Sequence, residues 1–231
     1  MFKKINIAID GHSSCGKGTL AREMAEVLNY TFIDSGSMYR AVALYFLQND
    51  IIVSDSEQVA NALKKIHLDF KLNDSNSRFE ICLNGVSVEK RIRQMDVAVV
   101  VSEVAALSSV RKELVLMQQK LGMNKGVVMD GRDIGTVVFP DAELKIFMTA
   151  DIEIRTQRRH KELVAAGTEI SIEKVLENLM SRDRIDSNRK DSPLTLTKDY
   201  RLLDNSRISQ KEQLQIALEW VEEIQKKSGN S

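Results

Sequence analysis

A glycine-rich segment at residues 11–17 has the residue types and the spacing of a phosphate-binding loop. It reads GHSSCGK and fits the pattern G-x-x-x-x-G-K. In such a loop the glycines allow backbone N–H groups to converge on an anion, the N-terminus of the following helix adds partial positive charge, and the lysine adds a full one. The segment therefore predicts a cradle for the phosphates of a nucleoside triphosphate.

The residues on both sides of this loop support that interpretation. Residues 5–9, INIAI, are a short β-branched apolar run, which is typical of a strand buried on both faces. After the loop, Leu20, Met24, Val27 and Leu28 recur on one face of a predicted helix. The alternative is a glycine-rich turn with an incidental lysine. The strand before the loop and the helix after it favour the phosphate loop.

The position after the lysine carries further information. Most phosphate loops have Ser or Thr there, whose hydroxyl binds Mg²⁺, whereas this sequence has Gly18 followed by Thr19. The string GKGT is similar to the loops of nucleoside monophosphate kinases, in which phosphates and water hold more of the metal. Within the loop, we interpret Cys15 as a small filler rather than a reactive thiol, and His12 as a residue that shapes the turn.

Two further segments place polar side chains at the ends of apolar strands. IDSGSMYR, residues 33–40, contains Ser35 and Arg40, and GVVMDGRDIGTVVFPD, residues 126–141, contains a second group. That second group is Asp130, Arg132 and Asp133. Because ligands of open α/β sheets bind at the carboxyl ends of the strands, we expect both segments to lie near the phosphate loop.

A third cluster is rich in arginine. In RDRIDSNR, residues 182–189, the spacing of Arg182, Asp186 and Arg189 is i, i+4 and i+7, which predicts that they share one helix face. The preceding predicted helix carries Arg155, Arg158 and Arg159. An arginine-rich helix is usually a solvated face, and that alternative stays open for Arg184 and Arg155.

Composition restricts the classes of partner. The 231 residues include 33 basic and 33 acidic side chains, so no bulk charge directs the chain to nucleic acid or to an anionic membrane. The two cysteines form no disulfide framework and no metal-binding spacing. The apolar run at the beginning is too short for a signal peptide or a membrane helix, and we therefore expect a reduced, cytoplasmic protein.

Strands alternate with helices along most of the chain, which predicts an α/β fold with a doubly wound parallel sheet. Residues 67–93 differ, because apolar and polar side chains alternate there with period two on both sides of the turn-rich NDSNS. We expect a small antiparallel lobe inserted at residues 67–93 and a helical lid at residues 151–189. Both belong to one predicted domain, residues 1–231.

Together these segments resemble one family. GxxxxGKGT, DSGSMYR, SEVAALSSVR, DGRDIGTVVFPDA and RDRIDSNR occur in the order seen in bacterial cytidylate kinases, over nearly the whole chain. DGRDIGTVVFPDA is the most specific, whereas the phosphate loop alone fits many unrelated NTPases. The departures are His12, Ser14 and Cys15, which replace the Pro, Gly and Ala common in the family's loop. The resemblance implies a P-loop NTPase-type sheet, with the insert beside the monophosphate site.

The resemblance also implies an activity and residue roles. ATP would be the phosphoryl donor and CMP or dCMP the acceptor, with Mg²⁺ held mainly through phosphates and water and no side chain bound directly to the metal. Asp130 is the candidate to orient that ion through water. The catalytic residues would be Lys17, Arg40, Arg132, Arg158 and Arg189. ATP would be bound by Gly11, His12, Ser13, Ser14, Cys15, Gly16, Lys17, Gly18, Thr19, Arg155 and Arg159.

Three groups of residues would bind the acceptor nucleotide, one for each of its parts. Arg40 and Arg132 are assigned to its phosphate. Ser35, Arg111, Asp133 and Arg189 are assigned to the cytosine ring, and Ser102, Arg182 and Asp186 to the ribose. Arg155, Arg158 and Arg159 look like lid residues that close over the triphosphate.

Three alternative functions remain beside this one. An adenylate or uridylate kinase would share the loop and the phosphate-binding arginines. A non-catalytic nucleotide switch is disfavoured, because NKGV at residues 124–127 does not complete the guanine-reading N-K-x-D. A structural protein that lost its activity is disfavoured by the retained lysine and arginines. We expect the partners to be small nucleotides, with no nucleic acid and no membrane, and the chain to be a monomer.

Overall fold

The computed structural model describes residues 3–73 and 78–229. In chain order the strands are β1 (Asn6–Gly11), β2 (Thr31–Asp34), β3 (Leu68–Asn73), β4 (Arg78–Leu83), β5 (Val86–Ser87), β6 (Val127–Gly131), β7 (Leu144–Thr149) and β8 (Arg201–Asp204). The α-helices are α1 (Lys17–Leu28), α2 (Ser35–Gln48), α3 (Ser56–Leu63), α4 (Met95–Ala106), α5 (Ser108–Leu121), α6 (Ile152–Ala165), α7 (Ile172–Asn188) and α8 (Gln210–Gly229). None of the helices in these ranges is long and apolar enough to cross a membrane.

The chain divides into two compact units. The larger unit comprises Met1–Asp34 and Leu116–Ser231, and the smaller unit comprises Ser35–Val115. The larger unit is built on a parallel five-stranded sheet with the order β2-β6-β1-β7-β8. This sheet and the helices that follow its strands confirm the predicted α/β class.

The central strand β1 is buried along its whole length. Ile7 and Ile9 are fully buried, and they pack in one core with Leu20 and Met24 of α1 and with apolar side chains of β7 and α8. Each fully buried large apolar side chain stabilises the fold by about 1.5–3 kcal/mol. The apolar run of residues 5–9 therefore forms the strand that the sequence predicts. In α1, Leu20, Met24 and Leu28 face this core. Val27, which the sequence places on the same stripe, is 61% exposed, because it lies at the edge of the stripe and turns away from the sheet.

The register of the sheet brings two loops to the same edge. Asp10, near the end of β1, lies opposite Gly131, the last residue of β6, and Gly11 lies opposite Met148 of β7. Because the strands are parallel, the chain leaves β1 and β6 on the same side of the sheet. The expectation that the phosphate loop and the DGRD segment are neighbours is confirmed.

The smaller unit contains an antiparallel sheet with the order β3-β4-β5. Its strands pair as a hairpin, with Leu68 opposite Leu83 and Phe70 opposite Ile81. The sheet packs on α2, which also packs on α4. The predicted antiparallel insert is present, while residues 74–77 of its predicted turn lie outside the described residues.

Two local features differ from the predictions. Helix α7 ends at Asn188, and Arg189 follows it with an extended backbone, so the prediction that Arg189 lies on that helix is wrong. Ser192 adopts a left-handed φ of 51° and Pro193 follows it, so the chain turns instead of continuing as a helix. After β6, a π-helical turn spans Ile134–Val138, which no periodic pattern in the sequence announces.

Candidate active site

The loop after β1 requires glycine at two positions. Gly11 has a φ of 151°, and a Cβ there would lie 2.0 Å from the backbone oxygen of Met148. Gly16 has a φ of 93° and caps the N-terminus of α1. Only glycine accepts such a close approach and such dihedrals without strain. The loop therefore has the tight backbone that a phosphate cradle needs.

Lys17 is held inside this loop. Its Nζ donates a hydrogen bond to the backbone oxygen of His12 at 2.6 Å and lies 3.6 Å from the Sγ of Cys15. Burial, together with the nearby cation of Arg132, lowers the pKa of Lys17. Cys15 is itself fully buried in the core, which agrees with its interpretation as a filler. The ammonium group is thus partly stripped of water beside backbone groups that can receive an anion.

Arg132 lies directly against the loop. Its Nη2 donates to the Oγ of Ser13 at 2.8 Å, and its Nε donates to Asp186 at 2.8 Å. Burial lowers the pKa of Arg132, but the negative groups around it, Asp186 first among them and then Asp183, together outweigh burial and the pKa is raised. This guanidinium therefore stays charged while it touches the loop with one edge.

Arg155 and Asp183 hold the same part of the loop from another side. Arg155 Nη1 donates to the backbone oxygen of Ser13 at 3.1 Å and to Asp183 at 2.6 Å. Asp183 in turn accepts a hydrogen bond of 3.3 Å from the backbone N–H of Ser13. Arg155 is buried, so in this structure its guanidinium is engaged with protein groups instead of lying on a solvated face.

A second group of charged side chains continues from Arg132. Arg189 lies 3.8 Å from Asp186 and 3.7 Å from Asp133, and all three residues are buried. Although burial raises the pKa of Asp186, the cations of Arg132, Arg182 and Arg189 lower it further than burial raises it. The carboxylate of Asp186 is therefore charged and fixes the directions in which its neighbouring arginines point.

A sequence profile of the family described as Cytidylate kinase matches residues 7–223. The chain belongs to the cytidylate kinase family. A cytidylate kinase of Flavobacterium johnsoniae is 52% identical over 228 residues, which cover 97% of this chain and 99% of that protein. A cytidylate kinase of Phocaeicola vulgatus is 54% identical over 215 residues, which cover 92% of this chain and 94% of that protein.

A solved structure agrees with the fold. An uncharacterized protein from Eubacterium ventriosum superposes with a TM-score of 0.54 and 11% identity, covering 96% of this chain and 99% of that one. At that identity the similarity concerns the fold alone. The family assignment therefore rests on the sequence profile and on the relatives.

The residues that the cytidylate kinase resemblance assigns fall in both units. In the larger unit the structure joins Ser13, Arg132 and Asp186 by hydrogen bonds and places Arg189 within ion-pair distance of Asp133 and Asp186. Arg182 acts on the same carboxylate, Asp186, through its charge. Loop and acceptor residues of the family pattern thus form one connected set here.

The remaining assigned residues belong to the smaller unit. Ser35 begins α2, Arg40 lies one turn further along it, and Ser102 is buried on α4. Arg111 of α5 is buried, with its guanidinium carbon 5.4 Å from the ring centre of Tyr39 and its Nη1 donating to the oxygen of Ala105. Tyr39 precedes Arg40 in α2, so the aromatic ring fixes Arg111 beside that helix.

The two other arginines of α6 have different surroundings. Arg159 is partly buried and pairs with the exposed Glu162 at 3.1 Å. Arg158 donates to the side chain and to the backbone oxygen of Asn205, at 3.0 and 3.1 Å. Asn205 received no role from the sequence.

Asp10 is a second residue that sequence reasoning missed. Its carboxylate is fully buried at the end of β1 and accepts hydrogen bonds from the N–H groups of Ile134 and Gly135 and from the hydroxyl of Tyr200, at 2.9, 2.8 and 2.7 Å. Burial raises the pKa of Asp10, although these hydrogen bonds act to lower it. The signal in the sequence was a charged residue at the end of an apolar strand. The sequence does not show the hydrogen-bond partners of Asp10, because they are distant along the chain.

Proposed function

We propose that the protein transfers the γ-phosphoryl group of ATP to CMP or dCMP, giving ADP and CDP or dCDP. One observation carries the proposal beyond the family assignment. Arg132, assigned to the acceptor phosphate, donates to the Oγ of Ser13 in the ATP loop. A residue assigned to ATP and a residue assigned to the acceptor phosphate are therefore in direct contact.

The chemistry fits this set of residues. A phosphate oxygen of a nucleoside monophosphate is already deprotonated at neutral pH, so the reaction needs no general base. What it needs is in-line positioning and relief of the repulsion between two anionic nucleotides. Lys17 and the loop N–H groups supply positive charge to the donor, and Arg132 supplies it where donor and acceptor meet.

The remaining catalytic roles stay proposals. Arg40 would share the acceptor phosphate with Arg132, because a guanidinium forks onto two phosphate oxygens. Arg158 and Arg159 would approach the triphosphate from α6. Arg155 would act through the loop, since it binds the backbone oxygen of Ser13. Arg189 would orient the acceptor beside Asp133.

Base selection would come from buried polar groups. Cytosine presents an exocyclic amine donor beside the N3 and O2 acceptors, and uracil reverses the donor and acceptor at two of these positions. The carboxylate of Asp133 can accept from the amine, while Arg189 can donate to a ring acceptor; Ser35 and Arg111 would complete the contacts, and Ser102, Arg182 and Asp186 would hold the ribose. A uracil would leave such groups unpaired, which is costly in a buried site.

The charged residues also fit a magnesium ion held indirectly. Asp130 is almost buried at the end of β6, and a Cβ at Gly18 would lie 3.9 Å from each of its carboxylate oxygens. Carboxylate oxygen is a ligand that Mg²⁺ accepts directly or through water. We propose that Asp130 orients the ion through water, and that the ion, when bound, neutralises phosphate charge.

The decisive experiment is an acceptor panel with ATP and Mg²⁺. We expect CMP and dCMP to be phosphorylated with a kcat/KM about 10²-fold or more above that of UMP or AMP. AMP or UMP as the best acceptor would favour an adenylate or uridylate kinase. ATP binding without turnover of any acceptor would favour a nucleotide switch.

We further propose that the protein works as a cytoplasmic monomer on small nucleotides, without nucleic acid or membrane as a partner. The equal numbers of acidic and basic residues, 33 of each, support the part of this proposal that concerns nucleic acid and membrane. Light scattering after size-exclusion chromatography tests the monomer, and a mass of twice 26.1 kDa would contradict it.

A further inference from the structure

Asn205 connects three parts of the larger unit. It follows β8, is 3% exposed, and donates from Nδ2 to the backbone oxygen of Cys15 in the phosphate loop at 2.9 Å. The same Nδ2 donates to the Oε1 of Gln213 on α8 at 2.9 Å. The Oδ1 accepts from Arg158 on α6 at 3.0 Å. Every polar atom of this side chain is therefore engaged.

Only an amide satisfies these neighbours. The carbonyl oxygen of Cys15 can only accept a hydrogen bond, and the guanidinium of Arg158 can only donate one. The side chain between them must accept from Arg158 and donate to both Cys15 and Gln213. A hydroxyl has one hydrogen to donate, whereas an amide nitrogen has two. An aspartate of the same size has no donor when ionised, and an apolar residue has neither group.

The hydrogen bond to Cys15 controls the direction of a loop N–H group. The peptide between Cys15 and Gly16 is planar, and its carbonyl and N–H groups point in opposite directions. When the carbonyl points to Asn205, the N–H of Gly16 must point away from it. The fit is close, because a Cβ at Gly16 would lie 3.2 Å from the Nδ2 of Asn205.

The contacts with Asn205 also fix the orientation of the Arg158 guanidinium. Two hydrogen bonds, to the side chain and the backbone oxygen of Asn205, fix both ends of the guanidinium fork. An arginine held in this way loses less conformational freedom when it binds an anion. Asn205 thus fixes one loop N–H group and one cation together.

We propose that Asn205 is a positioning residue of the ATP site, which orients the Cys15–Gly16 peptide and Arg158 for the triphosphate. The inference rests on the proposed function for its kinetic consequences, although its effect on ATP binding does not require an acceptor. It acts on the donor alone, because none of its hydrogen-bond partners is assigned to the acceptor nucleotide.

The test compares wild type with Asn205→Ala in ATP titration and in steady-state kinetics. Loss of the two positioning contacts should raise the Kd and the KM for ATP about tenfold, which corresponds to about 1.4 kcal/mol. The KM for CMP should stay within about twofold. An unchanged Kd for ATP, or an equal rise in both KM values, would overturn the proposal.

Asn6→Ala is the matched control. Asn6 is buried at the opposite end of β1, and its Nδ2 donates to the oxygen of Gly122 at 2.9 Å. This substitution should lower the melting temperature without changing the Kd for ATP. If Asn205→Ala does not fold, Asn205→Asp keeps the size of the side chain and should weaken ATP binding in the same way. An Asn205→Asp protein that binds ATP normally would refute the role of the amide donor.

A double-mutant cycle tests the part that acts through Arg158. In the Arg158→Ala background, Asn205→Ala should have a smaller effect on the KM for ATP than in wild type, because the arginine that it positions is gone. Strictly additive effects of the two substitutions would show that Asn205 does not act through Arg158. Wild-type protein that binds ATP but does not phosphorylate CMP would refute the proposed function, whereas the titrations would still decide the role of Asn205.

Discussion

Ser13 is the residue at which the charged groups of the larger unit meet. Its Oγ accepts from Arg132, its backbone oxygen accepts from Arg155, and its N–H donates to Asp183. The loop is therefore fixed by acidic and basic side chains in addition to its own backbone. Removing one of them changes the charge and the shape of the loop together.

Arg132→Met tests the proposed meeting point of donor and acceptor. We expect kcat to fall by about 10³-fold or more, because a guanidinium that stabilises transferring phosphoryl groups contributes that much. Methionine keeps most of the side-chain length, so circular dichroism should remain that of the wild type. Arg201→Met, which removes an arginine paired with Glu223 on the surface, is the control and should leave kcat unchanged. An unchanged rate in Arg132→Met would remove this residue from the site.

His12 should make stability depend on pH. Burial lowers the pKa of His12 below its ordinary 6.5, and the cations of Arg155, Arg132 and Lys17 outnumber the opposing carboxylate of Asp183. The unfolded chain therefore takes up the proton first as the pH falls. The contribution of neutral His12 to the free energy of unfolding is complete above pH 6.5. It is lost as the pH falls through the lower pKa of the folded state.

His12→Asn removes this titration. Denaturant unfolding between pH 8 and pH 5 should show a free energy of unfolding that falls with pH more steeply in wild type than in the variant. The difference should develop below about pH 6.5. Parallel pH profiles would contradict the lowered pKa.

At the scale of elements, the junction between β6 and its π-helical turn depends on a residue of another strand. The N–H groups of Ile134 and Gly135 donate to Asp10 of β1, which ties the turn directly after Arg132 and Asp133 to the sheet. The π-helical turn is closed by backbone hydrogen bonds from Val138 to Asp133 and from Phe139 to Ile134. The turn therefore positions the two charged residues that precede it.

Tyr200→Phe weakens this junction without a change of volume. The variant loses the 2.7 Å hydrogen bond to the buried Asp10, and the free energy of unfolding should fall by about 1–3 kcal/mol. Tyr45→Phe, on the half-exposed side of α2, is the control and should change it by less than about 0.5 kcal/mol. Equal stabilities of Tyr200→Phe and wild type, measured by denaturant unfolding, would show that water replaces the hydroxyl.

At the scale of the whole molecule, the proposed reaction requires binding of two different nucleotides. CMP alone should raise the melting temperature, because a ligand that binds only the folded state stabilises it by about 2.7 kcal/mol at a hundred times its Kd. ATP alone should raise it as well. Thermal unfolding with each nucleotide checks this, and UMP at the same concentration is the control. A response to ATP without any response to CMP would favour the nucleotide switch.

The sequence alone determined the local elements and the chemistry that they carry. The apolar run at residues 5–9, the loop at 11–17 and the stripe of α1 follow from patterns that repeat within a few residues, since such periodicity and glycine spacing reflect the backbone directly. The parallel sheet and the antiparallel insert follow from the same kind of pattern. The arginines of the proposed site were found because they cluster in short segments.

Only the tertiary structure decided which of these groups touch. Ser13 meets Asp183 across 170 positions of the sequence, and Asp10 meets Tyr200 across 190. Asn205 reaches Cys15 across the same separation of 190. A hydrogen bond between distant residues leaves no periodic trace in either segment, because its geometry arises only when the sheet is assembled. The residues that position the loop therefore became visible in the fold, while the residues that carry its charge were visible in the sequence.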